Sequence, residues 1–326
     1  MQADEDNDDI PPVARPDPAE LAYDLDAALA SVVTVRTQIP SDAFTAASLG
    51  TERRGNGVMI DHNGLVLTIG YVIAEAEQIW LTTASGTAAP AYAVAHDHAT
   101  GLGLVQALAR LGAPPLPLGS SEILDIGQPV VVAGGRGVRD ALAARIVAKR
   151  PFAGYWEYYL ENALFTAPAH PHWGGAACIG PDGSLIGIGS LLVQEAIRDS
   201  RNVIGNMAVP IDLLAPILDD LLRYGRVNRP PRPWLGLFAS DTAEGVVVTG
   251  LAPGGPAADA GLAEGDVVIE VDGYEIEDLA DLWRRLWAHG APGAVVSLTV
   301  LRDGRRQQFE CRTASRRDFL KRPSLH

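Results

Sequence analysis

Cysteine and lysine are almost missing from this 326-residue chain: two cysteines, Cys178 and Cys311, and two lysines, Lys149 and Lys321. Two cysteines exclude a disulfide-stapled scaffold, and because they fall in different halves of the chain they are expected to stay unpaired. So few lysines leave little material for a Ser/Lys catalytic pair. Long apolar runs are also missing. The longest, at residues 102–108 and 129–134, fall far short of the ~20 residues a membrane-crossing helix needs. Positive charge is scarce, with a formal net charge of −14, which argues against a nucleic-acid partner because strands demand a basic surface. No charged segment followed by an apolar one opens the chain. It therefore reads as a cytoplasmic protein or as an exported one whose signal has been removed.

The acidity is partly local. Residues 1–26 hold nine acids (Asp4, Glu5, Asp6, Asp8, Asp9, Asp17, Glu20, Asp24 and Asp26) against Arg15. Flexible carboxylates in a Pro-containing stretch are not preorganised for a metal, so residues 1–26 are expected to form a disordered, solvating tail.

A dense series of short strand signals follows. Residues 57–60 and 65–68 flank Asp61-His62-Asn63-Gly64, whose Asn-Gly pair predicts a hairpin. Further β-rich runs lie at 79–82, 92–95, 102–106, 130–133, 144–147, 158–160, 185–192 and 203–208, separated by Gly, Pro, Asp and Asn. Many short strands with frequent turns indicate an all-β barrel or sandwich. At 210–223, Ile211, Leu214, Ile217, Leu218, Leu221 and Leu222 recur at helical spacing. Three prolines and three arginines in 226–233 then mark a linker. Beyond it, strands are expected at 245–251, 267–271 and 295–301, and helices at 256–261 and 278–289. A basic tail, 315–326, closes the chain.

Five segments, in order from about Ser31 to Thr313, carry a family resemblance. Gly55-Asn56-Gly57-Val58-Met59-Ile60 with Gly64-Leu65-Val66-Leu67-Thr68 resembles the strand pair that leads to the catalytic histidine of HtrA/Deg serine proteases. Asp97-His98-Ala99-Thr100-Gly101-Leu102-Gly103-Leu104-Val105 is similar to their aspartate segment. Trp173-Gly174-Gly175-Ala176 followed by Pro181-Asp182-Gly183-Ser184-Leu185 is similar to their nucleophile loop. Asn206-Met207-Ala208-Val209-Pro210-Ile211 through Val227 resembles their closing helix, and Trp234-Leu235-Gly236-Leu237 resembles the start of a PDZ domain. The resemblance implies a mainly β protein. Its parts are a chymotrypsin/trypsin-like double β-barrel at 27–226, a linker at 227–233 and a C-terminal α+β PDZ domain at 234–314.

Acyl transfer on this fold needs a serine, a histidine base, an aspartate to hold it and N–H donors for the oxyanion. By resemblance the histidine position falls on Tyr71, a phenol that is a poor base near neutrality. The aspartate position falls on Gly101, which has no side chain, and the serine position on Trp173, whose indole only donates. Pro171 stands where the family has a glycine donor, and it has no N–H. The chain therefore reads as a pseudoprotease. Cys178, in an apolar stretch, reads as an inert buried thiol. A working endopeptidase with a triad placed elsewhere or completed by a second subunit is the alternative, and regulation of an active paralogue is a further one.

Two histidine pairs flank the vacated positions, His96 with His98 and His170 with His172. Their i, i+2 spacing can put both rings on one side of a strand, the arrangement of a metal site if more ligands converge. No cysteine or carboxylate cluster accompanies them in sequence, so solvated loop histidines are the simpler reading and no metal or cofactor is expected. Trp173 reads as a plug in the cleft, with a recognition anchor as the other option.

What the resemblance leaves able to act is the PDZ domain. Leu235, Gly236 and Leu237 are implied to form its carboxylate-binding loop, so protein C-termini or extended peptides are the implied partners. Leu279, Leu282, Trp283, Leu286 and Trp287 form a helical stripe in which Leu282 and Leu286 are expected to be core, while Trp283 and Trp287 are candidates to line the peptide groove. The family likeness also implies homo-oligomers or mixed assembly with an active paralogue, and a periplasmic or otherwise exported bacterial protein of the quality-control type.

Overall fold

The computed structural model describes residues 9–198 and 203–321. The chain divides into two compact units, one of residues 1–150, 162–227 and 321–326, the other of residues 151–161 and 228–320. Six antiparallel strands, β1 (Val32–Gln38), β2 (Glu52–Met59), β3 (Leu65–Ile69), β4 (Gln78–Thr83), β5 (Ala88–His96) and β6 (Leu102–Ala107), close a barrel in the order β1-β2-β3-β6-β5-β4. A second closed barrel joins β7 (Pro129–Ala133), β8 (Ala141–Gly154), β9 (Tyr158–Ala167), β10 (Ala177–Ile179), β11 (Leu185–Val193) and β12 (Gly205–Pro210) in the order β10-β11-β12-β9-β8-β7. Closure removes the free edges that an open sheet would expose.

Local chemistry sets the register. Asp61 Oδ1 accepts from the N–H groups of Asn63 and Leu65, both at 2.8 Å, and Gly64 takes φ +90°. That turn pairs Val58 with Leu67 and Met59 with Val66. All five residues of β3 are buried, as a strand enclosed on both faces requires.

The acidic N-terminal segment departs from the expected disordered tail, apart from residues 1–8, which lie outside the described residues. Ile10 is buried and its N–H donates to the Arg139 carbonyl at 2.9 Å, while Asp9 pairs with Arg136. Two 3-10 turns, Pro12–Ala14 and Pro18–Glu20, precede helix α1 (Leu25–Ala30), which Asp24 caps through the Ala27 N–H. Apolar Ile10, Leu25 and Leu29 are buried, and burying them offsets the entropy of ordering the acids between them. Short helices α2 (Ala46–Leu49) and α3 (Gly70–Ile73) punctuate the first barrel.

The helix expected over 210–223 is split into a 3-10 turn, Ile211–Leu213, and α4 (Leu218–Tyr224). Pro216 explains the gap, because it lacks an N–H and disfavours helical backbone at Ala215.

In the other unit β13 (Leu237–Thr242), β14 (Gly245–Leu251), β15 (Val267–Val271), β17 (Val295–Arg302) and β18 (Arg305–Arg312) form one sheet, with β16 (Tyr274–Glu275) paired to β15. Helix α5 (Pro256–Asp259) is short, and α6 (Leu279–Trp287) is capped by Asp278, which accepts from the Asp281 N–H at 2.7 Å. Leu279, Leu282, Trp283 and Leu286 of α6 pack into a core with Val296, Leu298 and Val300. The expected basic tail is not free over its described part: Phe319 packs on Trp234 at 4.7 Å between ring centroids. No helix among the described residues is long and apolar enough to cross a membrane.

Candidate functional site

Tyr71 sits on α3, carried there by the buried strand β3. The Gly70 N–H donates to the Gly101 carbonyl at 2.7 Å, which ties Tyr71's helix to the turn closed by Asp97. Gly101 has φ +82°. Trp173 comes from the loop before β10. Its side chain lines the same cleft as Tyr71, whose hydroxyl donates to the Ser190 carbonyl at 2.9 Å. Burial raises the Tyr71 pKa, against a smaller pull from the nearby Trp173 side chain. The phenol is thereby further from acting as a base than a free tyrosine.

The two aromatic residues share a cleft of about 290 Å³ with Arg54, Arg136, Asp140 and His172. Glycine is required beside them: a Cβ on Gly174 would lie 2.7 Å from the Tyr71 hydroxyl, and one on Gly175, at φ +76°, would strike the Asn56 carbonyl. Asn56 holds the loop, its Nδ2 donating to the His172 carbonyl at 2.8 Å and its Oδ1 accepting from Gly135 N–H at 2.9 Å. Pro171 offers no N–H, and the next one, on His172, is turned to His170 Nδ1 at 3.0 Å.

Among the described residues, Asp140, His170 and His172 are the one group of potential metal ligands whose donor atoms converge. His170 is wholly buried, and both of its ring nitrogens are engaged. Nε2–H donates to the Asp140 carbonyl at 3.0 Å while Nδ1 accepts from His172. Burial lowers its pKa, so the ring stays neutral. His172 donates Nδ1–H to Asp140 Oδ1 at 2.9 Å. Burial opposes the charge on Asp140, but hydrogen bonds from His172 and Arg136 outweigh it and hold the carboxyl at about 2. His96 and His98 pair with each other, Nε2 to Nε2 at 3.1 Å.

The lysines and cysteines are already engaged or buried. Lys149 Nζ donates to the carbonyls of Ser121, Glu122 and Leu124, and Lys321 Nζ to Asp42. Cys178 and Cys311 are free and buried, and burial pushes the Cys178 thiol up to about 12.

In the second unit, Leu235, Gly236 and Leu237 do present converging N–H groups, helped by φ +75° at Gly236. They do not point into an open groove. All three donate to the Glu157 carboxylate, at 3.1, 2.7 and 3.0 Å to Oε1. The sequence reading of Trp283 as a groove-lining residue changes as well. It is 0% exposed, part of the core, and reaches outward only through its indole N–H to the Gly154 carbonyl at 3.0 Å. Trp287 stacks on it at 6.5 Å, and Arg232 covers the Trp287 ring at 3.9 Å. Asn56, Asp140 and Glu157 were not singled out as site residues from sequence. Asn56 lies inside the glycine-rich motif, whereas nothing local marks the other two.

Residues 55–188 match the trypsin-like peptidase domain and residues 233–313 the PDZ domain. The chain is 31% identical over 268 residues to the probable periplasmic serine endoprotease DegP-like of Halomonas elongata, covering 78% of this chain but only 55% of that relative. It is 28% identical to the serine endoprotease DegS of Escherichia coli strain K12 over 264 residues, 76% of this chain and 73% of DegS. The solved structure of the HtrA-type protease AlgW with tripeptide has the same fold, with a TM-score of 0.52 at 23% identity over 93% of this chain and 99% of its own. Two matched domains in this order, with relatives of this kind, make the chain a member of the HtrA-type family.

Proposed function

We propose that this protein is a catalytically inactive HtrA-type protein that works by binding peptide C-termini or extended peptide segments through its PDZ domain. The observation that carries the reading is that Tyr71 and Trp173 line one cleft. By family resemblance the base position holds a buried phenol whose hydroxyl donates to the Ser190 carbonyl, and the nucleophile position holds an indole, so the one offers no ring to take a proton and the other no hydroxyl to attack. Gly101 brings no carboxylate, and Pro171 no oxyanion donor. Trp173 lines the cleft where the family resemblance places a small nucleophile. The PDZ domain supports the binding half of the proposal, because its loop is built to hold a carboxylate. Relatives named periplasmic support an exported location.

The test is cleavage of reduced casein by the purified chain, with a Trp173→Ala control and a fluorophosphonate probe for reactive serine. No turnover and no labelling in either protein is expected. Turnover with labelling overturns the inactive reading.

A further inference from the structure

The turn between β8 and β9 belongs to the same compact unit as the PDZ domain. Gly154 is needed there, since a Cβ would lie 2.9 Å from the Trp156 ring. Three residues on, Glu157 is held at φ +59°, a left-handed conformation that costs a non-glycine residue about 1 kcal/mol or more. That backbone aims its side chain inward. The carboxylate is buried, with Oε1 taking the N–H groups of Leu235, Gly236 and Leu237 and Oε2 lying 3.3 Å from the Leu235 nitrogen. A Cβ on Gly236 would lie 2.9 Å from the Ala252 side chain, so the loop keeps the close-approach geometry that suits an anion.

Two further bonds complete the likeness to a bound peptide. The Tyr155 carbonyl accepts from the Ala239 N–H at 2.9 Å, on β13, which ends the sheet order and so is an edge strand. The Gly154 carbonyl accepts the Trp283 indole N–H from α6 at 3.0 Å. Tyr155 and Phe238 add a ring contact at 6.0 Å. Carboxylate in the loop, main chain on the edge strand and contact with the helix are the features by which a peptide C-terminus docks on such a groove.

We propose that residues 151–161 are a tethered self-ligand of the PDZ groove, with the Glu157 side chain standing in for a C-terminal carboxylate, so that a free peptide binds only by displacing it. The inference rests on the peptide-binding reading above and adds its regulation. A tethered ligand competes at an effective concentration of about millimolar. A docked turn whose own intrinsic Kd is about 100 μM or tighter therefore weakens a free peptide by a factor of about ten or more.

The test uses the full chain and its Glu157→Gly and Glu157→Gln variants. Glycine accepts the left-handed backbone, so Glu157→Gly removes the carboxylate while relieving strain, and Glu157→Gln keeps the side-chain shape. Hydrogen exchange is followed over residues 234–239. Binding is followed by fluorescence anisotropy of a labelled, randomised hexapeptide pool with free C-terminal carboxylates, against the same pool amidated. Exchange in Glu157→Gly is expected to be at least tenfold faster than in the parent, and carboxylate-dependent binding at least tenfold tighter, with Glu157→Gln between the two. Unchanged exchange in Glu157→Gly overturns the self-ligand, as does a parent that binds the carboxylate pool as tightly as the variant. Faster exchange with no binding by any of the three proteins leaves Glu157 as the loop's occupant and overturns the peptide-binding reading instead.

Discussion

His172 Nδ1 lies 2.9 Å from Asp140 Oδ1, and the same aspartate's backbone carbonyl accepts from the buried His170 Nε2. One residue therefore joins both histidines of the loop before β10. The sign of the pH dependence follows from two lowered pKa values. Asp140 is held at about 2, from an ordinary 3.8, once the hydrogen bonds of His172 and Arg136 outweigh its burial, and burial also holds His170 below its ordinary 6.5. In both cases the unfolded chain binds more protons than the folded one, so stability is lost as pH falls. Urea midpoints are expected to hold steady above pH 7, to drop as pH falls below about 6.5, where an unfolded histidine protonates, and to drop again below about 4, where an unfolded aspartate does. Asp140→Asn is expected to remove the second drop and to cost about 2 kcal/mol at neutral pH.

Zinc is expected to leave the protein's melting temperature unchanged. A metal would need a lone pair from His170, yet Nδ1 already accepts a backbone N–H and Nε2 carries the proton given to the Asp140 carbonyl. Thermal melts with and without a molar excess of zinc check this. A rise in midpoint that disappears in His172→Ala would show the cluster rearranging around an ion.

Docking of Glu157 is expected to weaken as pH rises through neutrality. Burial raises its pKa to about 7, from an ordinary 4.5, against the pull of the three backbone N–H groups and the charge of Arg316. The docked carboxyl binds its proton more tightly than a released one. Docking is therefore strongest below about pH 4.5 and is progressively lost as pH rises through about 7. Protection factors at residues 234–239, corrected for intrinsic exchange rates, should fall between pH 6 and pH 8 in the parent and stay flat in Glu157→Gln.

The contrast between Tyr71 and Glu157 shows what a sequence can carry. Tyr71 lies between strand signals whose turn chemistry is local, such as Asp61 bonding to Asn63 and Leu65, so its place at the end of β3 could be read along the chain. That Tyr71 and Trp173 come to line one cleft needed only the family's order of segments. Glu157 meets its partners across 78 to 80 residues, and a charged residue among Tyr155, Trp156 and Tyr158 has the look of an exposed turn. The N-terminal segment misled for a related reason. Its charge is visible, but Ile10 is anchored to Arg139, far along the chain, and Asp9 to Arg136. Trp283 lies on a stripe whose period reveals a helix but not which face a groove will use.

Placing a serine at Trp173, the nucleophile position by family resemblance, is expected not to confer activity. In Trp173→Ser the new hydroxyl would face Tyr71, which gives its proton to the Ser190 carbonyl and whose pKa burial has raised, so Tyr71 does not take the serine proton. Pro171 still supplies no N–H, and loss of one oxyanion donor alone costs ~10²–10³ in rate. The single variant should neither react with a fluorophosphonate nor show a burst with an activated ester. Combining it with Tyr71→His, Gly101→Asp and Pro171→Gly supplies each missing part, and labelling is expected only in that combination. Should Trp173→Ser alone be labelled, a base other than Tyr71 must reach the cleft. His172, already oriented by Asp140 and lining that cleft, is the residue whose replacement by alanine would then abolish the reaction.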